Sequence, residues 1–375
     1  MEAAPTAVEM ASPWRRVAKT TLYVLFLCVV SVIGLELTLR VFSLASPGAG
    51  FTVTQVEFSR IPGLFSPNQS YVDQTNPALP HQVTIDSLGY RGRDFSRAKS
   101  ANEIRIILTG DSFTFGSYVD DDETLSAQLQ AVLTDACGST VRTVNAGVPG
   151  TTIRGQAEML RRAFPLDPDL VVLVFHDNDF VNLMNGPMWD VFAQGRAMKS
   201  RFPLSIVYPV LRRTALWNLS LEVRRRWLTR GWVEASETDA TGLARPSTHT
   251  DPVTETRYAE HLKALSEAAK EASVPLLLVA YPRTTSQVTS EEEPRVGTRA
   301  IRIAENVGVP AFDLYPSIWN SGIPPEDLSL LPYDGHPSPA GHAFAAKVLA
   351  DHVASLPEIQ LKCRGSAGPQ SAPTG

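Results

Sequence analysis

Three short stretches hold residue types that together perform acyl transfer: Gly110-Asp111-Ser112-Phe113, His176-Asp177-Asn178-Asp179 and Asp334-Gly335-His336-Pro337. The first offers a hydroxyl nucleophile, the second an amide able to hold an oxyanion, and the third a base with a carboxylate nearby. A serine hydroxyl attacks poorly until a base takes its proton, so Ser112 needs a partner, and His336 is the candidate. Asp334 is the candidate to fix the ring through its other nitrogen. Gly150 closes the stretch Asn145-Ala146-Gly147-Val148-Pro149-Gly150. It reads either as a tight turn or as a backbone N–H facing the developing negative charge, where a side chain would crowd the substrate. Asn178 reads as a turn residue or as a second oxyanion donor. His176 directly follows an apolar run and reads as structural. His342 reads as a helical packing or surface residue.

These residues need a scaffold that brings distant positions together. Apolar runs at Ile104–Leu108, Val141–Asn145, Leu170–Phe175, Val274–Ala280 and 310–314 predict five strands. Helical periodicity between them covers 123–136, 154–164, 254–272, 295–306 and 338–354. This alternation implies a doubly wound, parallel α/β sheet with helices on both faces. In such sheets sites form at the carboxyl ends of strands, where the three opening stretches fall. Residues 46–100 read as a linker and wrap, with Ser87-Leu88-Gly89-Tyr90-Arg91-Gly92 as a turn. Residues 180–232 break the pattern with Trp189, Trp217, Trp227 and Trp232 among arginines. They read as an amphipathic helical pair packed on the domain, or as a membrane-surface helix or lid. The acidic run Asp120-Asp121-Asp122-Glu123 reads as the opening of the following helix.

The whole chain sets the outer bounds. Its 375 residues are 43% hydrophobic, enough for a full core, and the net charge of -5 gives no reason to expect nucleic acid. Cysteine spacing gives no zinc or disulfide-scaffold pattern, and no metal or cofactor is implied. Arg15, Arg16 and Lys19 precede an apolar run from Thr21 to Gly34 that continues to Phe42, with Glu36 and Arg40 at i,i+4 spacing. Basic residues before the run favour a cytoplasmic N-terminus and export of the rest. A cleavable signal competes, since Ser43-Leu44-Ala45 resembles a cleavage site.

With those motifs in order, the chain resembles the SGNH hydrolases, the GDSL esterase and lipase superfamily. The first block matches Gly110-Asp111-Ser112, the second the stretch ending at Gly150, the third residues 176–179, and the last carries Asp334 and His336. It looks like bacterial members with an N-terminal anchor, a Gly89-Tyr90-Arg91-Gly92 segment and Gly-Asp-Ser-Phe-Thr-Phe-Gly. The resemblance implies a three-layer, flavodoxin-like fold and a serine esterase with Ser112, His336 and Asp334 catalytic. The oxyanion hole would be made by Ser112, Gly150 and Asn178. Two departures stand out. His176 occupies a usual glycine position, and one residue, not two, separates Asp334 from His336, which leaves Asp313, Asp327 or a backbone carbonyl as alternatives. The family removes or moves acyl groups on esters, lipids and glycans, so an ester or an acylated glycan or lipid is the expected substrate. O-acyl transfer to an exported polysaccharide and a non-catalytic envelope binding protein are the alternatives. In a flavodoxin-like order Cys137 and Cys363 follow helices on one face, so they are expected to be bonded or close. The expected organisation is a cytoplasmic tail (1–19), a membrane helix or signal anchor (20–42), a linker and wrap (43–100), a hydrolase domain (101–357) with an insertion at 180–252, and a flexible tail (358–375).

Overall fold

A computed structural model describes residues 13–42, 65, 67–74, 76–184, 252–283, 293–324 and 326–365, with short pieces between 202 and 220. The cleavage-like Ser43-Leu44-Ala45, most of the 180–252 insertion, including Trp189, Trp227 and Trp232, and residues 366–375 lie outside the described residues, while the start of the expected flexible tail is instead a helix, Pro357–Gly365, tied down through Cys363. The described residues fall into two compact units. One holds the N-terminal helix and the pieces between Phe202 and Ser220, and the other holds the rest.

In the first unit, helix α1 spans Pro13–Val41. Its stretch Val17–Val41, 25 residues, is long and apolar enough to cross a membrane. At about 1.5 Å per residue it exceeds a hydrocarbon core of about 30 Å. Arg40 Nε donates to Glu36 Oε1 at 2.7 Å, the expected i,i+4 pair. The Glu36 carboxylate also accepts from the backbone N–H of Ala215 and of Leu216, both at 2.9 Å.

The second unit begins with an antiparallel hairpin, β1 (Gln69–Asp73) and β2 (His81–Ile85). Then come β3 (Glu103–Thr109), β4 (Thr140–Asn145), β5 (Leu170–Phe175), β6 (Leu276–Ala280) and β7 (Ala311–Asp313). These five pair in parallel in the order β4-β3-β5-β6-β7. Every residue of β3, β5 and β6 is buried, which explains their continuous apolar runs: both faces of a parallel sheet are covered. Alternate residues serve the two faces. Ile107, Val171, Leu173, Phe175 and Leu278 pack on one side. Ile104, Ile106, Leu108, Val172, Val174, Leu277 and Val279 pack on the other. The result is the expected three-layer α/β sandwich.

The helices on the second face are α3 (Leu125–Cys137, after the one-turn α2 described below) and the long helix Pro339–Ser355. Cys137 ends α3, and it forms a disulfide with Cys363, their Cα atoms 4.5 Å apart. The hairpin continues through isolated bridges, Ile85 to Arg91 and Arg91 to Asn145, along the outer edge of β4. The 87–92 segment does turn: Asp86 Oδ1 accepts from the N–H of Leu88 and of Tyr90. The turn also delivers Arg91 into the interior, which its reading as a simple turn misses.

Candidate active site

The chain leaves β3 at Thr109, turns at Gly110, and enters α2, the single turn Ser112–Phe115. A Cβ on Gly110 would lie 2.1 Å from Thr114 Oγ1 and 2.8 Å from Val174 O, so only glycine permits this turn against β5. Asp111 caps α2, its Oδ1 accepting from Phe113 N at 2.9 Å. The loop after β4 is clamped to the same turn. Val148 N donates to Gly110 O at 3.0 Å, and Asn145 Nδ2 donates to Phe115 O at 3.2 Å. A Cβ on Gly147 would sit 2.3 Å from Phe115 N, so this close approach also requires glycine. Gly150 follows in that loop with φ of 70°, a left-handed turn position.

Three residues beyond the end of β5, Asn178 opens α4 (Asn178–Met184). Its Nδ2 donates to Asp111 Oδ2 at 2.7 Å, so Asp111 ties the Ser112 turn to the Asn178 turn. Sequence reasoning treats Asp111 only as part of a motif and misses this link.

His336 stands in the loop before the helix Pro339–Ser355. Its Nε2 lies 2.8 Å from Ser112 Oγ. Its Nδ1 bonds Asp334 Oδ1, which also accepts from the His336 N–H at 2.9 Å. The one-residue spacing therefore still permits a carboxylate on the ring. Of the two alternative aspartates, Asp313 Oδ1 accepts from Tyr315 N, whereas Asp327 accepts from Ser338 Oγ through its backbone carbonyl, a bond that does not involve its carboxylate. With Nδ1–H donating to Asp334, Nε2 is an acceptor for the serine proton. The His336 ring rests at 5.2 Å from the Phe113 ring and 5.5 Å from the Tyr118 ring. Tyr118 has φ of 69°, an uncommon conformation for a bulky residue. Burial, helped by the charges of Asp334 and Asp73, pushes its phenol up to about 12.

Beneath α2 lies a buried polar cluster. His176 stacks on Phe113 at 3.7 Å between ring centroids. Its Nδ1 is 2.9 Å from Tyr281 O, and its Nε2 is 2.7 Å from Asp177 Oδ1. Asp177 Oδ2 also lies 3.1 Å from Arg283 Nη2. Burial alone would push the Asp177 carboxyl up, but His176 and Arg283 hold it well below the usual carboxylate range. Asp179, fully buried, accepts from Gln156 Nε2 at 3.0 Å, and burial together with the Asp111 charge raises it well above the usual range. His342 is helical and buried, a packing residue with neither ring nitrogen bonded. Burial pushes it down to about 3. Sequence reasoning missed Arg283, whose one signal is its position just past the end of β6.

The acidic run departs from expectation. Asp121–Glu123 is a separate 3₁₀ turn, bonded reciprocally with Asp120, and the cap of α3 is Thr124. Asp121 instead receives Arg91, whose Nε lies 3.1 Å away. Arg91 further donates to the carbonyls of Phe115, Gly116, Val119 and Gln82. It thereby pins the segment that follows Ser112. Among the described residues no group of three His, Cys, Asp or Glu side chains suits a metal ion.

Comparison with known proteins places this arrangement. No curated protein matches the sequence. Among solved structures, LAE5, an α/β-hydrolase enzyme from the metagenome of Lake Arreo, Spain, is 18% identical, with 66% of this chain and 95% of that one covered and a TM-score of 0.40. An acetylxylan esterase from Geobacillus stearothermophilus is 15% identical, covering 70% of this chain and 99% of that one, with a TM-score of 0.40. A psychrotrophic esterase from Pseudoalteromonas is 14% identical, covering 66% and 96%, with a TM-score of 0.39. The model of the GDSL-like lipase/acylhydrolase family matches residues 108–344, from the end of β3 to just past the His336 loop. That span is well over half of the chain and contains Ser112, Asn178, Asp334 and His336, so the chain belongs to the GDSL-like lipase/acylhydrolase family, the SGNH hydrolases, and is a hydrolase of ester bonds.

Proposed function

We propose that the chain is a serine esterase that removes ester-linked acyl groups through Ser112, His336 and Asp334. The observation that carries this reading is the run of hydrogen bonds from Ser112 Oγ to His336 Nε2, 2.8 Å, and from His336 Nδ1 to Asp334. Ser112 Oγ attacks the ester carbonyl carbon as its proton passes to Nε2. The new C–O bond gives a tetrahedral intermediate whose oxyanion accepts from the N–H groups of Ser112 and Gly150 and from the Asn178 amide. Asn178 gives one Nδ2–H to Asp111 and has a second for this purpose. Collapse breaks the bond to the alkoxide, which leaves as the alcohol with the proton from His336. Water, deprotonated by His336, then cleaves the acyl-serine and regenerates the hydroxyl. Asp334 keeps the imidazole in the accepting tautomer and stabilises the imidazolium.

In this reading α1 holds the enzyme at a membrane with its basic N-terminal flank in the cytoplasm and the hydrolase outside. Its support is the length and apolar content of Val17–Val41.

Ser112→Ala tests the assignment. The full-length protein in detergent is expected to lose more than a thousandfold of its hydrolysis of short acyl esters. It should also lose labelling by a serine-directed fluorophosphonate. Hydrolysis at the parental rate in that variant would remove Ser112 as nucleophile.

A further inference from the structure

His176 is one of the two departures from the family pattern, and its surroundings define its protonation. A backbone carbonyl only accepts, so the 2.9 Å contact to Tyr281 O places a proton on Nδ1. The other nitrogen faces Asp177 Oδ1 at 2.7 Å. Arg283 lies against the same carboxylate at 3.1 Å, which keeps Asp177 an anion and therefore an acceptor. Both ring nitrogens must then carry protons. The charge is fully buried, and such a charge persists only when paired and hydrogen-bonded, as it is here.

This cation touches the nucleophile turn. Its ring lies 3.7 Å from the Phe113 ring and nearly parallel to it, at 22°. An imidazolium on an aromatic face is attracted by the ring quadrupole, more strongly when desolvated. The Phe113 ring in turn lies 5.2 Å from that of His336. Phe113 is the residue after Ser112, so its ring position fixes the backbone that presents the hydroxyl.

We propose that His176 is a positioning residue: a permanently charged imidazolium, clamped between Tyr281 O and Asp177, that holds Phe113 and through it aligns Ser112 with His336. The proposal rests on the reading of Ser112 as nucleophile. The charged and titratable groups facing His176 are Asp177 and Asp179 after β5, Asp111 before α2, and Arg283 after β6. Burial opposes the charge, but the adjacent Asp177 carboxylate, with Asp111, raises His176 to about 9. The imidazolium therefore persists across neutral pH.

Nitrogen-15 NMR of histidine-labelled full-length protein in detergent, assigned by loss of a signal in His176→Phe, provides the test. Both His176 nitrogens are expected to read as protonated from pH 6 to 8. The variant His176→Phe keeps a flat ring but no charge. It is expected to lose at least tenfold in kcat with KM within twofold, and to slow fluorophosphonate labelling of Ser112 in parallel. Phe113→Leu leaves the ion cluster intact and is expected to show the same kcat loss, so it carries the test if His176→Phe does not fold; the assignment then comes from the ring signal that stays doubly protonated from pH 6 to 8, since His342, held at about 3, stays neutral. A neutral imidazole spectrum at pH 7, or kcat within twofold of the parent in Phe113→Leu, would overturn the proposal. Full activity in Ser112→Ala with a protonated His176 would instead overturn the nucleophile assignment alone.

Discussion

Arg91 offers the sharpest test of how this fold holds its site. Its side chain is fully buried and binds the carbonyls of Gln82, Phe115, Gly116 and Val119 as well as Asp121. Its guanidinium also sits 4.6 Å from the Phe115 ring centroid. Replacement by Met keeps much of the volume and removes every donor. Phe115 O keeps the Asn145 Nδ2 donor and Gly116 O the Val119 N–H, so the cost is that of the four lost bonds, about 1 kcal/mol net each and ~4 kcal/mol together. The half-buried Asp121 partner and the lost cation–π contact add to this. Since typical stabilities are ~5–15 kcal/mol, that is a large share of the whole. Arg91→Lys keeps one charge and three donors but cannot reproduce the planar fork, so an intermediate loss of ~2 kcal/mol is expected. Urea unfolding of the detergent-solubilised protein, with the three proteins compared at equal slope, measures both. Labelling of Ser112 should slow in the same order, because Phe115 to Val119 follows the nucleophile directly. If Arg91→Met unfolds within 1 kcal/mol of the parent, the bonds drawn from Arg91 are not stabilising and the reasoning fails.

Two further predictions concern the histidines. Asp334→Asn preserves size but allows the imidazole the wrong tautomer, so kcat should fall on the order of 10⁴-fold, and a fall of less than tenfold would return the role to another group. His342 is held down at about 3 by burial, against an ordinary value near 6.5. A depressed value means its stability contribution is present above pH ~6.5 and is lost as pH falls toward 3, by up to ~5 kcal/mol at 1.4 kcal/mol per unit. His342→Leu should flatten the acid side of a stability profile over that window and cost nothing at pH 7. Superimposable profiles would show that the ring is not buried neutral.

The central sheet was legible because its physics is one-dimensional. Leu170–Phe175 is read to the residue, since a strand covered on both faces must be continuously apolar. Strand β7 is shorter than its sequence signal suggests, three residues against five, because an edge strand has a partner on one side only. Ser112, Asn178 and His336 were legible as motif residues at strand ends and before a helix. The carboxylate for His336 reads from the sequence as Asp334 with Asp313 and Asp327 left open, since all three lie on one approach and only the loop geometry, which puts Asp334 on the ring, separates them. Arg91 and Arg283 were invisible for a related reason. Apart from Gln82, the partners named for them stand 24 to 106 positions away, and no periodicity marks a cation that will be buried by such contacts.

The sheet order explains why these groups meet at one place. Strand β3 has β4 on one side and β5 on the other, so the chain's connections diverge at its carboxyl end and leave a crevice. Three loops open into that crevice from three adjacent strands, and each is tied to its neighbour: Val148 to Gly110, Asn178 to Asp111. The base arrives differently, on a loop held by Leu330 N to His336 O and Ser338 N to Leu328 O, ahead of the helix that packs on α3. The Ser112 hydroxyl and the Asn178 amide are thus fixed by the stiff sheet, while the His336 imidazole is placed by a helix entry. Charge beneath the crevice follows the same economy. Burial and the Asp111 charge push Asp179 well above the usual carboxylate range, while His176 and Arg283 offset Asp177. The cations there are consumed in pairing, so a developing oxyanion would meet oriented N–H dipoles from the loop ends, whose orientation the sheet has already set before the substrate binds.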